Sequence, residues 1–298
     1  MKRIISLFVV VTICVGLFSC ASSPARSQSG SSVWEVSKNG NTLFLGGSIH
    51  VLRKTDYPLP KEFDQAFSRS MALVLEADIE QMADETIMMY LMSQMVLPGN
   101  QTLQTILDPD AYEALGTKFD EYGIPIDQIA KLKPSMAILV LTTLQIQEFG
   151  FVQQGVDAHY LQKARDEGKD IHYLETVQAQ IDMIVTMGDG YESDYVRYSL
   201  QDMENTETEL AELLAEWKAG GLSGMEATLT EMKEQWPDLY RVMVTDRNAA
   251  WIPHIERYLD SGTVFLVIVG LAHLHGPDGL LRQLEDSGYT VKQFSQRR

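Results

Sequence analysis

Six short apolar segments along the chain have the pattern of β-strands. The first alternates apolar and polar residues from Val33, and the turn signal Asn39-Gly40 follows it, so a β-hairpin is predicted there. The segment at residues 71–75 is continuously apolar, as in a strand buried on both faces. Strands are predicted over residues 33–36, 42–45, 71–75, 171–174, 263–269 and 289–294.

The longer segments between these strands predict helices. Pro60, Pro134 and Pro237 each stand where a helix can begin with proline in its first turn, and Asp108-Pro109 is a capping signal. Helices are predicted over residues 60–70, 80–97, from 108 onward, 134–148, 155–167, 177–187, 192–218, between 222 and 259, and up to 286. Few strands among many helices predict an α/β (α+β) fold, with a mixed central sheet flanked by many helices and with large helical insertions.

Residues 1–19 have the organisation of a signal peptide. A short basic start precedes an apolar run at residues 4–18, which is too short for a comfortable membrane span. Residues 17–20, Leu-Phe-Ser-Cys, resemble a bacterial lipobox, in which the cysteine is acylated and becomes the first residue of the mature chain. We therefore expect lipidation of Cys20. An ordinary signal peptide cleaved a few residues later is the alternative.

The residues beyond the signal peptide predict a tether and one folded domain. Residues 20–32 are rich in serine, as flexible linkers are, and residues 33–298 form the domain. The chain has two cysteines, one inside the signal peptide and Cys20, so we expect no disulfide and no cysteine ligand to a metal. We expect an exported protein that is anchored to membrane lipid through acylated Cys20. Because Ala21 is not aspartate, the outer membrane is the expected location, with the protein facing the periplasm.

Composition and charge narrow the class of partner. Hydrophobic residues make up 45% of the 298 residues, which suits a globular protein with a substantial core and excludes a disordered chain. The formal net charge is −17. Such a charge repels a polyanion, so nucleic-acid binding is not expected.

Four polar residues stand just beyond the carboxyl ends of four predicted strands. They are His50, Glu76, Glu175 and His273. Ligands of open α/β sheets bind in the crevice outside the carboxyl ends of the strands, so parallel neighbouring strands would bring these four side chains together. The two histidines each close a Gly-x-x-His segment, in which the glycine allows the backbone to turn sharply at the edge of the sheet.

The same segments resemble the TraB/GumN family in order and spacing, over nearly all of residues 33–294. The similar segments are Leu43–His50, Pro58–Pro60, Leu75–Asp78, Gly155–Asp157, Gly168-Lys169, Leu174–Thr176, Arg247-Asn248, Val269–Gly276 and Gly288-Tyr289. The family includes the Tiki proteins, which are membrane-anchored and divalent-metal-dependent proteases. It also looks related to erythromycin esterases and to a group of haem-binding lipoproteins.

The first functional hypothesis is a membrane-anchored, divalent-metal-dependent hydrolase of peptidase type. His50 and His273 would bind the metal ion, and Glu76 or Glu175 would be a third ligand or the general base. Nitrogen and oxygen ligands without sulfur suit Mn, Co or Zn. The substrate would be a peptide or a small molecule.

Two alternatives stay open. A metal-free hydrolase of the erythromycin-esterase kind would activate water with one histidine oriented by a glutamate, and Arg247 would stabilise the developing oxyanion. The family resemblance implies this role for Arg247. A non-enzymatic haem- or ligand-binding lipoprotein would use His50 or His273 as an axial ligand.

Two further patterns have plain structural explanations. Met89, Met92 and Met95 recur every three residues on a predicted helix, which indicates a core face or an adaptable binding surface more readily than a copper site. The helix predicted over residues 192–218 is dense in glutamate and is expected to present a solvated face.

Overall fold

The computed structural model describes residues 31–151, 154–221 and 223–295. The predicted signal peptide, the lipidation of Cys20 and most of the predicted tether lie outside these residues. Ser31 and Ser32, which the sequence assigned to the tether, are buried. The backbone carbonyl of Ser32 accepts a hydrogen bond from the amide of Gly47 at 2.8 Å, so the folded domain begins at least two residues before residue 33.

A six-stranded mixed sheet forms the centre of the domain. Its strands are β1 (Val33–Lys38), β2 (Asn41–Ser48), β3 (Ala72–Leu75), β4 (Asp170–Tyr173), β5 (Phe265–Gly270) and β6 (Thr290–Gln293). The order across the sheet is β4-β3-β5-β2-β1-β6. Strands β4, β3, β5 and β2 run parallel, whereas β1 is antiparallel to both β2 and β6. The carboxyl ends of four neighbouring strands therefore share one edge of the sheet, as the sequence predicted.

Helices surround this sheet. They are α1 (Lys61–Arg69), α2 (Glu85–Gln94), α3 (Leu103–Ile106), α4 (Pro109–Asp120), α5 (Pro134–Glu148), α6 (Val156–Glu167), α7 (Val177–Val185), α8 (Glu192–Asp202), α9 (Thr206–Ala219), α10 (Ser223–Gln235), α11 (Pro237–Tyr240), α12 (Asp246–Asp260), α13 (Leu271–Leu274) and α14 (Leu280–Asp286). Short 3-10 turns lie at Lys54–Asp56, Ile79–Ala83 and Ile126–Ile129, and a π-helical turn lies at Arg241–Thr245.

The two faces of the sheet pack into separate cores because successive strand residues point to opposite faces. Phe44 and Leu266, which are paired across β2 and β5, belong to a large core that also includes Phe63 of α1. Leu45 and Val267, the next pair, belong to a second core with Trp251 of α12. The sheet is thus the middle of three layers. This confirms the α/β (α+β) architecture that was predicted.

Two predicted helices are broken in the structure. The segment at residues 80–97 forms a 3-10 turn and then helix α2, which Asp84 caps by accepting from the amides of Thr86 and Ile87. The segment at residues 192–218 forms α8 and α9, separated at residues 203–205. It is also more than a solvated face, since Trp217 of α9 is fully buried and its indole N–H donates to the carbonyl of Gly47 at 2.8 Å.

The segment after β5, predicted as a loop, contains the short helix α13. Within the residues that the structure describes, no helix combines the length and the apolar character that crossing a membrane requires.

Candidate active site

The structure brings the five residues singled out in the sequence to one edge of the sheet. His50, Glu76, Glu175 and His273 follow β2, β3, β4 and β5, and Arg247 reaches them from the first turn of α12. Four of the five are in direct contact through hydrogen bonds, and His50 stands beside them. Their catalytic and metal-binding roles remain predictions.

The guanidinium of Arg247 is the hub of this cluster. Its Nη2 donates to Glu76 Oε2 and to Glu175 Oε1, both at 2.6 Å, and its Nε donates to Glu175 Oε2 at 3.1 Å. Its Nη1 lies 2.8 Å from His273 Nε2 and 3.5 Å from the carbonyl of Met243. All five N–H groups of the guanidinium thus face acceptors. The side chain is only 9% exposed, so these contacts are largely shielded from water.

The protonation of His273 follows from this contact. A guanidinium can only donate, so His273 Nε2 must accept and Nδ1 must hold the proton. Nδ1 lies 2.8 Å from Asn248 Oδ1, and the amide nitrogen of Asn248 is fixed by two backbone carbonyls, those of His273 and Asp278. Burial, and then the charge of Arg247, lower the pKa of His273 to about 3. His273 is therefore a neutral imidazole with both nitrogens engaged.

His50 has a different partner, which the sequence did not identify. Its Nδ1 lies 3.1 Å from Asp157 Oδ1, and the hydroxyl of Ser48 donates to the same carboxylate oxygen at 2.7 Å. The other ring nitrogen, Nε2, therefore points away from Asp157. The His50 side chain is 23% exposed, against 6% for His273, so it is the histidine that solvent can reach.

Gly155 makes the contact between His50 and Asp157 possible. It precedes α6, whose second residue is Asp157, and the amide of Val156 donates to the carbonyl of Ile49 at 3.1 Å. A Cβ on Gly155 would stand 2.3 Å from that carbonyl oxygen and 2.4 Å from the Cα of His50. Only glycine allows the start of the helix to approach the histidine so closely.

Gly270, the last residue of β5, lies at the meeting point of the site. A Cβ at this position would stand 3.3 Å from both His50 Nε2 and Glu76 Oε1, and 3.6 Å from His273 Cδ2. The backbone amide of Gly270 donates to Glu76 Oε1 at 2.6 Å. The absence of a side chain thus keeps open the space onto which these groups converge.

The pKa values of Glu76, Glu175 and His50 are shifted from their ordinary values. Burial opposes the charge on Glu76, but the charge of Arg247 together with the neighbouring histidines and the amide of Gly270 outweighs burial and lowers the pKa of Glu76 to about 2. Burial raises the pKa of Glu175 in spite of Arg247. Burial would lower the pKa of His50, but the charge and hydrogen bond of Asp157, helped by Glu76, raise it to about 9. His50 is thus an imidazolium at neutral pH in the free protein.

A cavity of about 210 Å³ opens onto His50. Its lining residues are His50, Leu75, Glu76, Ala77, Ile79, Asp157, Gln180, Ile184 and Ile268. Arg247 and His273 stand behind Glu76 and are not part of this lining. The side-chain amide of Gln180 donates to Glu76 Oε2 at 3.1 Å and also has a hydrogen-bond contact with Glu175.

The donor set does not fit the divalent metal that was hypothesised. In the described part of the chain, no group of three or more His, Cys, Asp or Glu side chains is arranged to hold a metal ion. The reason is chemical: Glu76, Glu175 and His273 Nε2 already surround a cation, the guanidinium of Arg247. His273 turns Cδ2, not a ring nitrogen, towards the space at Gly270 that His50 Nε2 faces, because its Nε2 contacts Arg247, so the two histidines do not offer two free ring nitrogens to one ion.

Sequence reasoning missed Asp157, Asn248 and Gln180 as functional candidates. Asp157 and Asn248 stand in segments that the family resemblance already included, and this was the available signal. Asn248 follows a π-helical turn, Arg241–Thr245, a feature that is frequent at functional sites and is not readable from side-chain periodicity.

Comparison with known proteins gives the family. The family model described as TraB/PrgY/gumN matches residues 32–293. The chain is similar to the uncharacterized protein YbaP of Escherichia coli (strain K12), at 26% identity over 259 residues, which are 84% of this chain and 90% of that protein. YbaP of Shigella flexneri is 25% identical over 248 residues, 80% of this chain and 86% of that protein. No solved structure matches. The matched segment contains every residue of the site described above, and the chain belongs to the TraB/PrgY/gumN family.

Proposed function

We propose that this protein is a hydrolase that activates water with His50 and Asp157 and needs no metal ion. The observation that supports it best is the 3.1 Å contact between His50 Nδ1 and Asp157, which leaves Nε2 free of Asp157 on a side chain that lines the cavity. A carboxylate on one ring nitrogen fixes the tautomer and orientation of the imidazole, while the other nitrogen exchanges protons with the reactants. The reaction class is cleavage of an ester or amide.

The chemical step uses neutral His50. Nε2 takes a proton from a water molecule as the water oxygen bonds to the acyl carbon. The bond from that carbon to the leaving oxygen or nitrogen then breaks, and His50 returns the proton to the leaving atom. The Asp157 carboxylate stabilises the imidazolium between these two transfers, and it is itself stabilised by the hydroxyl of Ser48.

Gln180 is the group best situated to bind the carbonyl oxygen of the substrate. It lines the cavity, where its amide contacts both Glu76 and Glu175, and a bound substrate would take one of these N–H groups. Arg247, expected as the oxyanion donor, has its N–H groups directed at Glu76, Glu175 and His273. We propose that Arg247 is a positioning residue that holds Glu76, and through Glu76 the amide of Gln180.

A haem-binding function is not favoured. Pockets for small molecules and cofactors commonly have volumes of roughly 300–1,000 Å³. The cavity at His50 has about 210 Å³, and both nitrogens of His273 are engaged. The cavity suits a small substrate or one group of a larger one.

The lipid anchor remains part of the proposal. We propose that acylated Cys20 holds the protein in the cell envelope, at the outer membrane facing the periplasm. Replacing Cys20→Ser should release the protein from membranes and remove the lipid label. Continued membrane fractionation with the label retained would contradict this.

A hydrolysis screen tests the enzymatic part. Purified protein is offered a panel of acyl esters and short peptides, beside His50→Gln, in which an amide that cannot exchange protons at neutral pH replaces the imidazole. Hydrolysis that falls roughly a hundred- to ten-thousandfold in His50→Gln is expected. His159→Gln is the matched control, because His159 lies on the same α6 as Asp157 and is not a lining residue of the cavity. Equal activity in wild type and His50→Gln would refute the assignment.

A further inference from the structure

A second cavity adjoins the one that contains His50. It has a volume of about 150 Å³ and lies among α2, α5, α7 and the 3-10 turn Ile79–Ala83. Its lining residues are Ile79, Met82, Leu91, Met136, Leu139, Val177, Gln180, Ile181, Ile184 and Val185. Among these described residues Gln180 alone is polar, so the cavity offers almost no hydrogen bond to an occupant.

The two cavities have walls in common. Ile79, Gln180 and Ile184 line both of them. Gln180 is also the residue proposed to bind the carbonyl oxygen, through an amide that contacts Glu76 at 3.1 Å. A molecule whose carbonyl lies beside Gln180 can therefore extend a neighbouring group into the second cavity.

The size and chemistry of the second cavity define that group. An apolar cavity of roughly 150 Å³ has room for a benzene-sized molecule. A charged or strongly polar group would lose its hydration there without a partner. Met82 and Met136 add flexible, polarizable walls that adapt to differently shaped apolar groups.

We infer that this second cavity binds an apolar group of about six carbons on the substrate, either an aromatic ring or a branched aliphatic chain, next to the bond that is cleaved. The identity of the occupant as part of a substrate rests on the proposed hydrolase function. The preference of the cavity for an apolar ligand does not.

Direct binding tests the cavity without any reaction. Fluorobenzene is titrated into the wild-type protein and followed by fluorine NMR. Leu139→Trp fills the cavity, whereas Met89→Trp adds the same side chain at a position that is 65% exposed and outside the lining. Saturable binding is expected in wild type and Met89→Trp, with at least a tenfold loss in Leu139→Trp. Absence of saturable binding to the wild type would overturn the inference.

Kinetics test the occupant. With benzoyl and acetyl esters of one alcohol, Leu139→Trp should lower kcat/KM for the benzoyl ester by roughly ten- to a hundredfold and leave the acetyl ester within about twofold. If Leu139→Trp fails to fold, Leu139→Ala enlarges the same cavity and should favour a naphthoyl over a benzoyl ester. Equal effects on both esters in each variant would overturn the inference.

The two proposals can fail separately. If fluorobenzene binds as expected but no ester or peptide is hydrolysed, the hydrolase function and the assignment of the ligand as a substrate group are both refuted. If hydrolysis depends on His50 but the Leu139 variants affect the benzoyl and acetyl esters equally, only the subsite is refuted.

Discussion

Arg247 Nη1 and His273 Nε2 lie 2.8 Å apart in the buried part of the site. This contact makes His273 Nε2 a hydrogen-bond acceptor and occupies the lone pair that a metal ion would need, and burial together with the charge of Arg247 keeps the imidazole neutral. The two histidines therefore have different surroundings and different roles. His273 is held inside the protein by Arg247 and Asn248, and His50 faces the cavity with Asp157 behind it.

The pH dependence of activity should reveal the charge of Asp157. The pKa of His50 is about 9 because Asp157 and Glu76 outweigh burial. Water activation needs neutral His50, so kcat/KM should rise with pH up to about 9. In Asp157→Asn the carboxylate is lost and the pKa of His50 falls, so the rise should occur at lower pH.

The same variant should also lose maximal rate, by roughly a hundredfold or more, because the imidazolium loses its stabilising partner. A pH–rate profile measured for both proteins separates the two effects. Asp166→Asn, on the exposed end of α6, is the control and should leave the profile unchanged. If kcat/KM of Asp157→Asn still rose up to about pH 9, as expected for the wild type, the pairing of His50 with Asp157 would be contradicted.

Replacing Arg247 should lower the stability of the folded protein, because Arg247 neutralises two buried carboxylates. Arg247→Met would leave Glu76 and Glu175 buried without their cation, which costs about 3–5 kcal/mol of unfolding free energy. The pKa of His273 should also rise above about 3, because Arg247 contributes to lowering it. Urea denaturation measures the first effect, and NMR titration of the imidazole measures the second.

Arg257→Met is the matched control for that experiment. Arg257 lies on the same helix as Arg247 and is exposed, so its loss should change the free energy of unfolding by less than about 0.5 kcal/mol. Similar stabilities of the two variants would show that Arg247 is not the centre of a buried network.

The sequence allowed the strands and the common edge to be predicted, because both depend on local apolar runs and on the topology of parallel strands. It did not identify Asp157, since that residue lies inside a helical pattern and meets Ser48 across 109 positions. It also did not reveal that Arg247 would occupy the place expected for a metal. Arg247 and Glu76 are separated by 171 positions in the sequence. The periodicity of apolar residues carries no information about contacts between such distant positions.

Acid should destabilise the protein over a wide interval. Glu76 has a pKa of about 2 when folded against 4.5 ordinarily, so its contribution is present above pH 4.5 and is lost as the pH falls towards 2. His273 has a pKa of about 3 against 6.5, so the unfolded chain takes up its proton first and stability falls from pH 6.5 towards 3.

Alkaline conditions should act through His50. Its folded pKa of about 9 exceeds the ordinary 6.5, so its contribution is complete below pH 6.5 and is lost as the pH rises through about 9. Urea midpoints from pH 3 to 10 check both limbs. His50→Gln should flatten the alkaline limb, and an unchanged alkaline limb in that variant would contradict the raised pKa.

A methyl group on Gly270 should impair catalysis more than folding. The Cβ of Gly270→Ala would stand 3.3 Å from His50 Nε2 and Glu76 Oε1, in the space where the reacting groups must meet. We expect a loss of roughly a hundredfold in kcat/KM. Gly116→Ala, in the middle of helix α4, is the control and should keep full activity while gaining up to about 1 kcal/mol of stability. Full activity in Gly270→Ala would show that the reaction occurs elsewhere.

The most direct test of the metal-free mechanism is hydrolysis by protein that has been stripped of metal ions. Wild type and His50→Gln are dialysed exhaustively against EDTA, their metal content is measured, and each is assayed on the best substrate of the screen with and without added Mn, Co or Zn. The mechanism predicts full activity of the stripped wild type, no gain from any added metal, and at least a hundredfold loss in His50→Gln. Activity that disappears with the metal and returns when a divalent ion is added would contradict it.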